Sequence, residues 1–285
     1  MNGGATNWSK YQTRIRAVIE YIHNNPGESL TSDSLADVAH LSPYHWHRIY
    51  KAITGESAAA TVKRCRMHNA AAALLRTNTS LAQVGASVGY PEIHSFTRTF
   101  RQFYGISPGK FRDTQSEAIP IEDVQETPDV KKQTVEIKHK PAVRLVGAWH
   151  RGDFMTIGVT FESVVAQCSM AGAMPQNPQM TGLYLADPDC TDEPDLRSFA
   201  GIVMSPEAEV PQGLEVYDYP GGSFAVLTHQ GPYALLGQGY EWLYYKWLPS
   251  ADASVRDHPC SEIYLNSPLD TAQTDLLTEI CLPIE

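Results

Sequence analysis

Apolar residues recur at three- and four-residue spacing through the first third of the chain, then gather into short runs. Tyr11, Ile15, Val18, Ile19 and Ile22 mark the buried face of a first helix, which Asn24-Asn25-Pro26-Gly27 stops. Leu35, Val38 and Ala39 predict a second, short helix. Ser42-Pro43, an N-cap residue followed by proline, predicts a third running to about Thr54 and ended by Gly55. Its spacing turns Trp46, Ile49 and Tyr50 inward and leaves Tyr44, His45, His47, Arg48 and Lys51 exposed. Two short helices across a tight turn form a helix-turn-helix pattern.

The pattern returns about fifty residues later. Leu35, Ala36 and Ala39 are echoed by Val84, Gly85 and Val88, while Trp46, Arg48, Tyr50, Gly55 and Ser57 are echoed by Phe96, Arg98, Phe100, Gly105 and Ser107. The second turn has one more residue. Between the copies, Ser57 to Thr77 is alanine-rich and proline-free, predicting a rod of about 30 Å at 1.5 Å per residue. Adjacent major grooves on one face of B-DNA lie about 34 Å apart, so one chain can present a recognition helix to each.

After Asp113 the text changes. Asp113 to Lys132 is acidic, carries Pro120 and Pro128, lacks a sustained period and reads as a linker. The expected domains are therefore 1–113, all-α, and 134–285, α+β, joined by 114–133. The second domain is also duplicated: His150, Gly152, Phe154, Ile157, Gly158, Phe161 and Glu162 recur 79 residues later as His229, Gly231, Tyr233, Leu236, Gly237, Tyr240 and Glu241. In each copy an apolar run (Ala142 to Trp149; Ser223 to Thr228) precedes a helix (about Ile157 to Met170; about Ala234 to Leu248). Two runs follow it, Met180 to Ala186 and Phe199 to Met204, then Glu262 to Asn266 and Leu276 to Leu282. The unit reads strand, helix, strand, strand, and two units predict a sheet with its helices on one face.

Charge divides with the domains. Residues 1–113 hold 13 Lys and Arg against 7 Asp and Glu, a net +6, whereas 114–285 hold 9 against 25, a net −16, so the chain's −10 conceals a basic half suited to a polyanion. The five cysteines, Cys65, Cys168, Cys190, Cys260 and Cys281, include no C-x-x-C pair and suggest neither disulfides nor a zinc site. No metal or other cofactor is expected. The sequence has no apolar stretch of membrane-spanning length and no signal-like start, so a cytoplasmic location without membrane contact is expected. Phosphate-binding, nucleophile-elbow, dinucleotide and zincin motifs are absent, which argues against those enzyme classes.

The first domain resembles the AraC/XylS transcriptional regulators from roughly Ile15 to Arg112, through SLTSDSLADVAHLSPYHWHRIYKAITG and SLAQVGASVGYPEIHSFTRTFRQFYGISPGKFR. The resemblance implies double-stranded DNA as a partner, RNA polymerase as a further one, and base reading by Tyr44, His47 and Arg48 in the first motif and by Ile93, His94, Thr97 and Arg98 in the second. Where relatives often carry amides this chain has His47, Ile93 and His94, so no operator sequence transfers. The second domain, about Thr134 to Glu285, resembles the GyrI-like small-molecule-binding module through FAVLTHQGPYALLGQGYEWLYYKWLP and SEIYLNSPLDTAQTDLLTEICLPI, giving the domain arrangement of relatives such as Rob. That likeness implies a cleft for hydrophobic, often cationic ligands, with aromatics around a strand carboxylate corresponding to Glu262.

Chemistry supports Glu262 independently. In the repeat register Tyr184 matches Tyr264, yet Gly182 matches Glu262, so the carboxylate occurs in one copy alone; on a strand Glu262 and Tyr264 share a face. Trp149, Tyr184, Trp242, Tyr245 and Tyr264 are the candidate rings around a bound cation. The combined reading is a ligand-responsive transcription regulator without catalytic residues. Two alternatives stand beside it: a GyrI-like hydrolase of reactive small molecules fused to a DNA-binding domain, using Glu262 and a tyrosine hydroxyl to activate water, and an interaction protein whose acidic half engages another macromolecule.

Overall fold

The computed structural model describes residues 6–113, 133–188, 191 and 193–285, so the expected linker lies outside the described residues except for Gln133. The described residues divide into two compact units, one of residues 12–41 and 53–113, the other of residues 6–11 and 42–52 with those described from 133 to 285. The first recognition segment, Ser42–Ala52, thus belongs to the same unit as the C-terminal domain.

The helical elements follow the spacing closely. Helix α1 spans Asn7–Asn24 and α2 Ser32–Ala39, the latter opened by a capping box between Thr31 and Ser34 and closed by His40 in the left-handed region at φ 49°. Helix α3 runs Trp46–Thr54, starting later than Ser42-Pro43 suggests. Pro43 to His45 instead form a turn on Ser42, whose carbonyl accepts from the His45 and Trp46 amides at 3.1 and 3.0 Å. The alanine-rich rod is α4, Ala58–Arg76, with Ser57 and Thr77 as its caps. The second motif is α5, Leu81–Ser87, and α6, Ile93–Tyr104, followed by α7, Pro108–Asp113. Met67, Ala70 and Leu74 of α4 pack with Val84, Phe96, Phe100 and Phe111 into one buried cluster, the hydrophobic burial that holds these short helices together.

The C-terminal domain is one eight-stranded antiparallel sheet in the order β1-β6-β8-β7-β3-β4-β2-β5. Its strands are β1 Val135–Lys140, β2 Val143–Arg151, β3 Met180–Tyr184, β4 Arg197–Met204, β5 Glu215–Tyr219, β6 Gly222–Gln230, β7 Cys260–Tyr264 and β8 Leu277–Ile284. Helix α8 spans Ile157–Met170; its counterpart α9, Leu236–Glu241, continues through a π-helical turn, Trp242–Trp247. The two repeats meet at β3 and β7, which pair with Gly182 opposite Glu262. Strands β1 and β5 add to the expected unit, and they cross over: β1 precedes β2 but pairs with β6, while β5 precedes β6 but pairs with β2.

The sheet has two apolar faces. Val164 and Cys168 of α8 pack on Val146, Ile202 and Met204, and Gly239 of α9 lies against Ile280, so both helices cover the face that carries Glu262. The opposite face gathers Leu145, Leu183, Phe199, Tyr219, Phe224 and Ile263. Period two along the strands assigns each side chain to one face or the other.

Candidate functional site

Beneath α8 and α9 lies a cavity of about 1120 Å³. Matched positions of the two repeats send three aromatic side chains each to it, Phe154, Phe161 and Tyr184 from the first and Tyr233, Tyr240 and Tyr264 from the second, and the second adds Tyr244 and Tyr245. They interlock edge to face, Phe154 on Tyr184 with centroids 4.9 Å apart, Phe161 on Tyr264 at 5.5 Å and Tyr233 on Tyr264 at 5.3 Å.

Glu262 sits between the repeats, 4% exposed. Tyr264 donates to its Oε2 at 2.9 Å and Tyr240 to its Oε1 at 3.0 Å; the Tyr184 hydroxyl, 2.6 Å from that of Tyr264, extends the chain. Burial pushes the Glu262 pKa above the ordinary glutamate value, while the hydrogen bonds from Tyr264, Tyr240 and Tyr184 and the charge of Arg48 pull the other way. Burial, and next the Glu262 charge, raises the three tyrosine hydroxyls well above their ordinary value, so they remain donors. The result is a buried carboxylate held by tyrosine hydroxyls within an aromatic wall.

The cavity's surroundings deepen its acidity. Asp153, Glu162, Asp187, Glu241 and Asp270 join Glu262 on its walls, against one basic side chain among the described residues, Arg48. Arg48 lies 4.5 Å over the Tyr240 ring and 5.5 Å from the Tyr244 centroid, with Nε 3.9 Å from Asp187 Oδ2. Burial opposes its charge, but Asp187 and the surrounding tyrosines more than offset this and hold its pKa above the usual arginine value.

The sequence-predicted ligand residues divide accordingly. Glu262, Tyr264, Tyr184 and Tyr245 line the cavity; Trp149 and Trp242 do not. Trp149 follows Leu145 in strand parity to the other face, where it packs on Phe199 at 5.1 Å and donates to Glu215 at 3.3 Å. Trp242 is half-buried outside the cavity walls. Sequence reasoning missed Tyr240, Tyr233, Phe154 and Phe161 as site residues, although the 79-residue repeat marks all four as paired aromatic positions.

The DNA-reading candidates also divide. In α6, His94 and Arg98 are exposed and Ile93 and Thr97 half-buried, an open face beginning at the helix N-terminus. In the first motif the expected exposure is corrected: His45, His47 and Arg48 are buried, at 0%, 9% and 7%, and Tyr44 is half-buried. The covering groups come from the C-terminal domain. His45 accepts at Nδ1 from the Tyr244 hydroxyl, 2.6 Å away, and turns Nε2 toward the carbonyls of Arg256 and His258 at 3.0 and 2.9 Å. Burial followed by the Arg48 charge lowers the His45 pKa to about 4, which keeps the ring neutral near pH 7, with its proton on the Nε2 that faces the two carbonyls. Ser42 donates to Asp257 at 2.6 Å.

A paired helix-turn-helix and a duplicated, aromatic, acid-centred cavity define a class of protein, and comparison with known proteins assigns the family. Residues 133–285 match the GyrI-like small molecule binding domain; with more than half of the chain matched, the protein belongs to that family. Residues 35–114 match a helix-turn-helix domain, here of AraC type. Among similar proteins, the bifunctional transcriptional activator/DNA repair enzyme AdaA of Bacillus subtilis is 37% identical over 98 residues, 34% of this chain and 46% of that protein. The RCS-specific HTH-type transcriptional activator RclR of Escherichia coli is 29% identical over 107 residues, 38% of each. The chain thus covers less than half the length of these relatives. Among solved structures, the EcmrR C-terminal domain aligns with TM-score 0.46 and 17% identity over 54% of this chain and 98% of that one. No described helix is long and apolar enough to cross a membrane.

Proposed function

We propose that the protein is a ligand-responsive transcription regulator that senses a hydrophobic cation in the C-terminal cavity and reads duplex DNA through its two helix-turn-helix motifs. The observation that carries the ligand class is Glu262: a buried carboxylate between the repeats, bonded by tyrosine hydroxyls, in an aromatic-lined cavity with six acids on its walls. A cation entering a partly dry site must recover its lost hydration, and a carboxylate with ring faces supplies that where apolar walls do not. Tyr184, Tyr264 and Tyr245 are the ring contacts, with Tyr240 added by the geometry. The basic first domain and its exposed Arg98 and His94 support DNA as the second partner, with base contacts from Tyr44, His47 and Arg48 once exposed and from Ile93, His94, Thr97 and Arg98. Such a regulator works in the cytoplasm and acts on RNA polymerase.

Sensing is favoured over hydrolysis because both Glu262 oxygens already accept hydroxyl donors, an arrangement that holds a charge in place rather than activating water. Changing Glu262 to Gln keeps shape and removes charge. Calorimetric titration of the full chain with tetraphenylphosphonium should show binding weakened at least ten-fold in the variant, with uncharged triphenylphosphine oxide little affected. Equal binding of the cation to both proteins would remove Glu262 from the site; consumption of a reactive electrophile by the parent and not by the variant would put hydrolysis first.

A further inference from the structure

The two motifs are copies, and Arg48 and Arg98 hold the same place in each, yet Arg98 stands in solvent while Arg48 is 7% exposed inside the cavity wall. The seat of Arg48 has the parts expected of a cation subsite: the Tyr240 ring at 4.5 Å, the Tyr244 ring at 5.5 Å and the Asp187 carboxylate at 3.9 Å. Resting on the reading of this cavity as a cation site, we infer that Arg48 is an internal stand-in for the effector: it holds the first recognition helix against the C-terminal domain, and a bound cation expels it and releases the helix to DNA.

Tyr240 makes the two occupants exclusive. Its hydroxyl donates to Glu262 and its ring face carries Arg48, so a cation paired with Glu262 and leaning on Tyr240 takes the surface the guanidinium uses. Two positive charges in that volume also repel, with little water between them to screen the repulsion.

Arg48 is held imperfectly. Its Nη1 is buried without a hydrogen-bond partner, a standing cost that solvent would relieve on release. A quaternary or delocalised cation has no N–H groups to satisfy and loses nothing on the same rings. This narrows the effector to lipophilic cations without strong donors. The bonds that latch the rest of the segment include Ser42 to Asp257, and His45 to Tyr244 and the 256–258 backbone. While they hold, the face bearing His47 and Arg48 is turned away from solvent and unavailable to base edges.

The test uses the full chain and two readouts. Calorimetry measures tetraphenylphosphonium affinity in the parent, in Arg48→Ala and in Arg76→Ala, which removes an exposed arginine from the end of α4. Amide hydrogen exchange follows residues 42–52 with and without the cation. Arg48→Ala should bind the cation about 5- to 150-fold more tightly, the range of ordinary coupling between sites, Arg76→Ala should match the parent, and saturation of the parent should raise exchange in 42–52. If the parent binds the cation while 42–52 stays as protected as before and Arg48→Ala gains nothing, the stand-in role is overturned and the cation site survives. If neither parent nor Arg48→Ala binds the cation, the site reading itself fails and the stand-in with it. Should Arg48→Ala fold poorly, exchange in the parent decides alone.

Discussion

Glu262 is costly to keep charged, and that cost gives it a pH signature. The groups facing it are Tyr264, Tyr240 and Tyr184 as hydrogen-bond partners, Tyr233 nearby, and Arg48 as the cation. Its pKa lies above that of free glutamate, chiefly through burial, so the ionised form that pairs with a cation is lost as pH falls through the raised value. Affinity for tetraphenylphosphonium should therefore be greatest above that pKa and drop about ten-fold per pH unit below it. Calorimetry across acidic pH checks this, and Glu262→Gln should give a flat profile. A sloping profile in the variant would assign the titration to another group. The carboxylate was legible in the sequence because the repeat exposes it as the odd residue of a matched pair. Its neighbour Arg48 was not: the groups that bury it, Asp187, Tyr240 and Tyr244, lie at least 139 positions away, and helical spacing tells only which side faces the motif's own core.

At the scale of elements, the pairing of β3 with β7 explains why the symmetry is broken where it is. Equivalent positions 182 and 262 face each other across the junction of the repeats. A Cβ at Gly182 would come within 2.9 Å of the Tyr184 ring and 3.1 Å of its hydroxyl, so the small residue leaves room for the ring whose hydroxyl completes the Glu262 chain. Gly182→Ala should displace Tyr184, cost about 1–3 kcal/mol of stability as an overpacked core position, and weaken cation binding although residue 182 carries no charge. Thermal unfolding and calorimetry together check both effects; unchanged affinity would show that the Tyr184 position is unimportant. Helix α8 and six of the strands were legible from apolar runs. Strands β1 and β5 leave no apolar run, since their residues are charged and half-exposed, yet Val135-Glu136-Ile137 matches Leu214-Glu215-Val216 at the same 79-residue offset. Trp149 illustrates the reverse error: an aromatic near the repeat is drawn to the site by its chemistry, and the parity of β2 sends it to the other face.

Taken whole, the chain joins a basic helical half to an acidic half in which a cavity of carboxylates holds Arg48, the counterpart of Arg98 in the helix-turn-helix repeat. In the proposed mechanism cation and DNA act on the same helix, and linkage makes their effects reciprocal: a cation that releases α3 must tighten DNA binding by the factor by which DNA tightens the cation. The direct measurement is a fluorescence anisotropy titration of the full chain on a duplex selected from a random library, with and without saturating tetraphenylphosphonium at fixed salt. The expected result is a Kd lowered about 5-fold or more by the cation in the parent, with Glu262→Gln needing at least about ten-fold more cation for the same response. An unchanged Kd in the parent, with the cation shown by calorimetry to be bound, would contradict the coupling of effector to DNA.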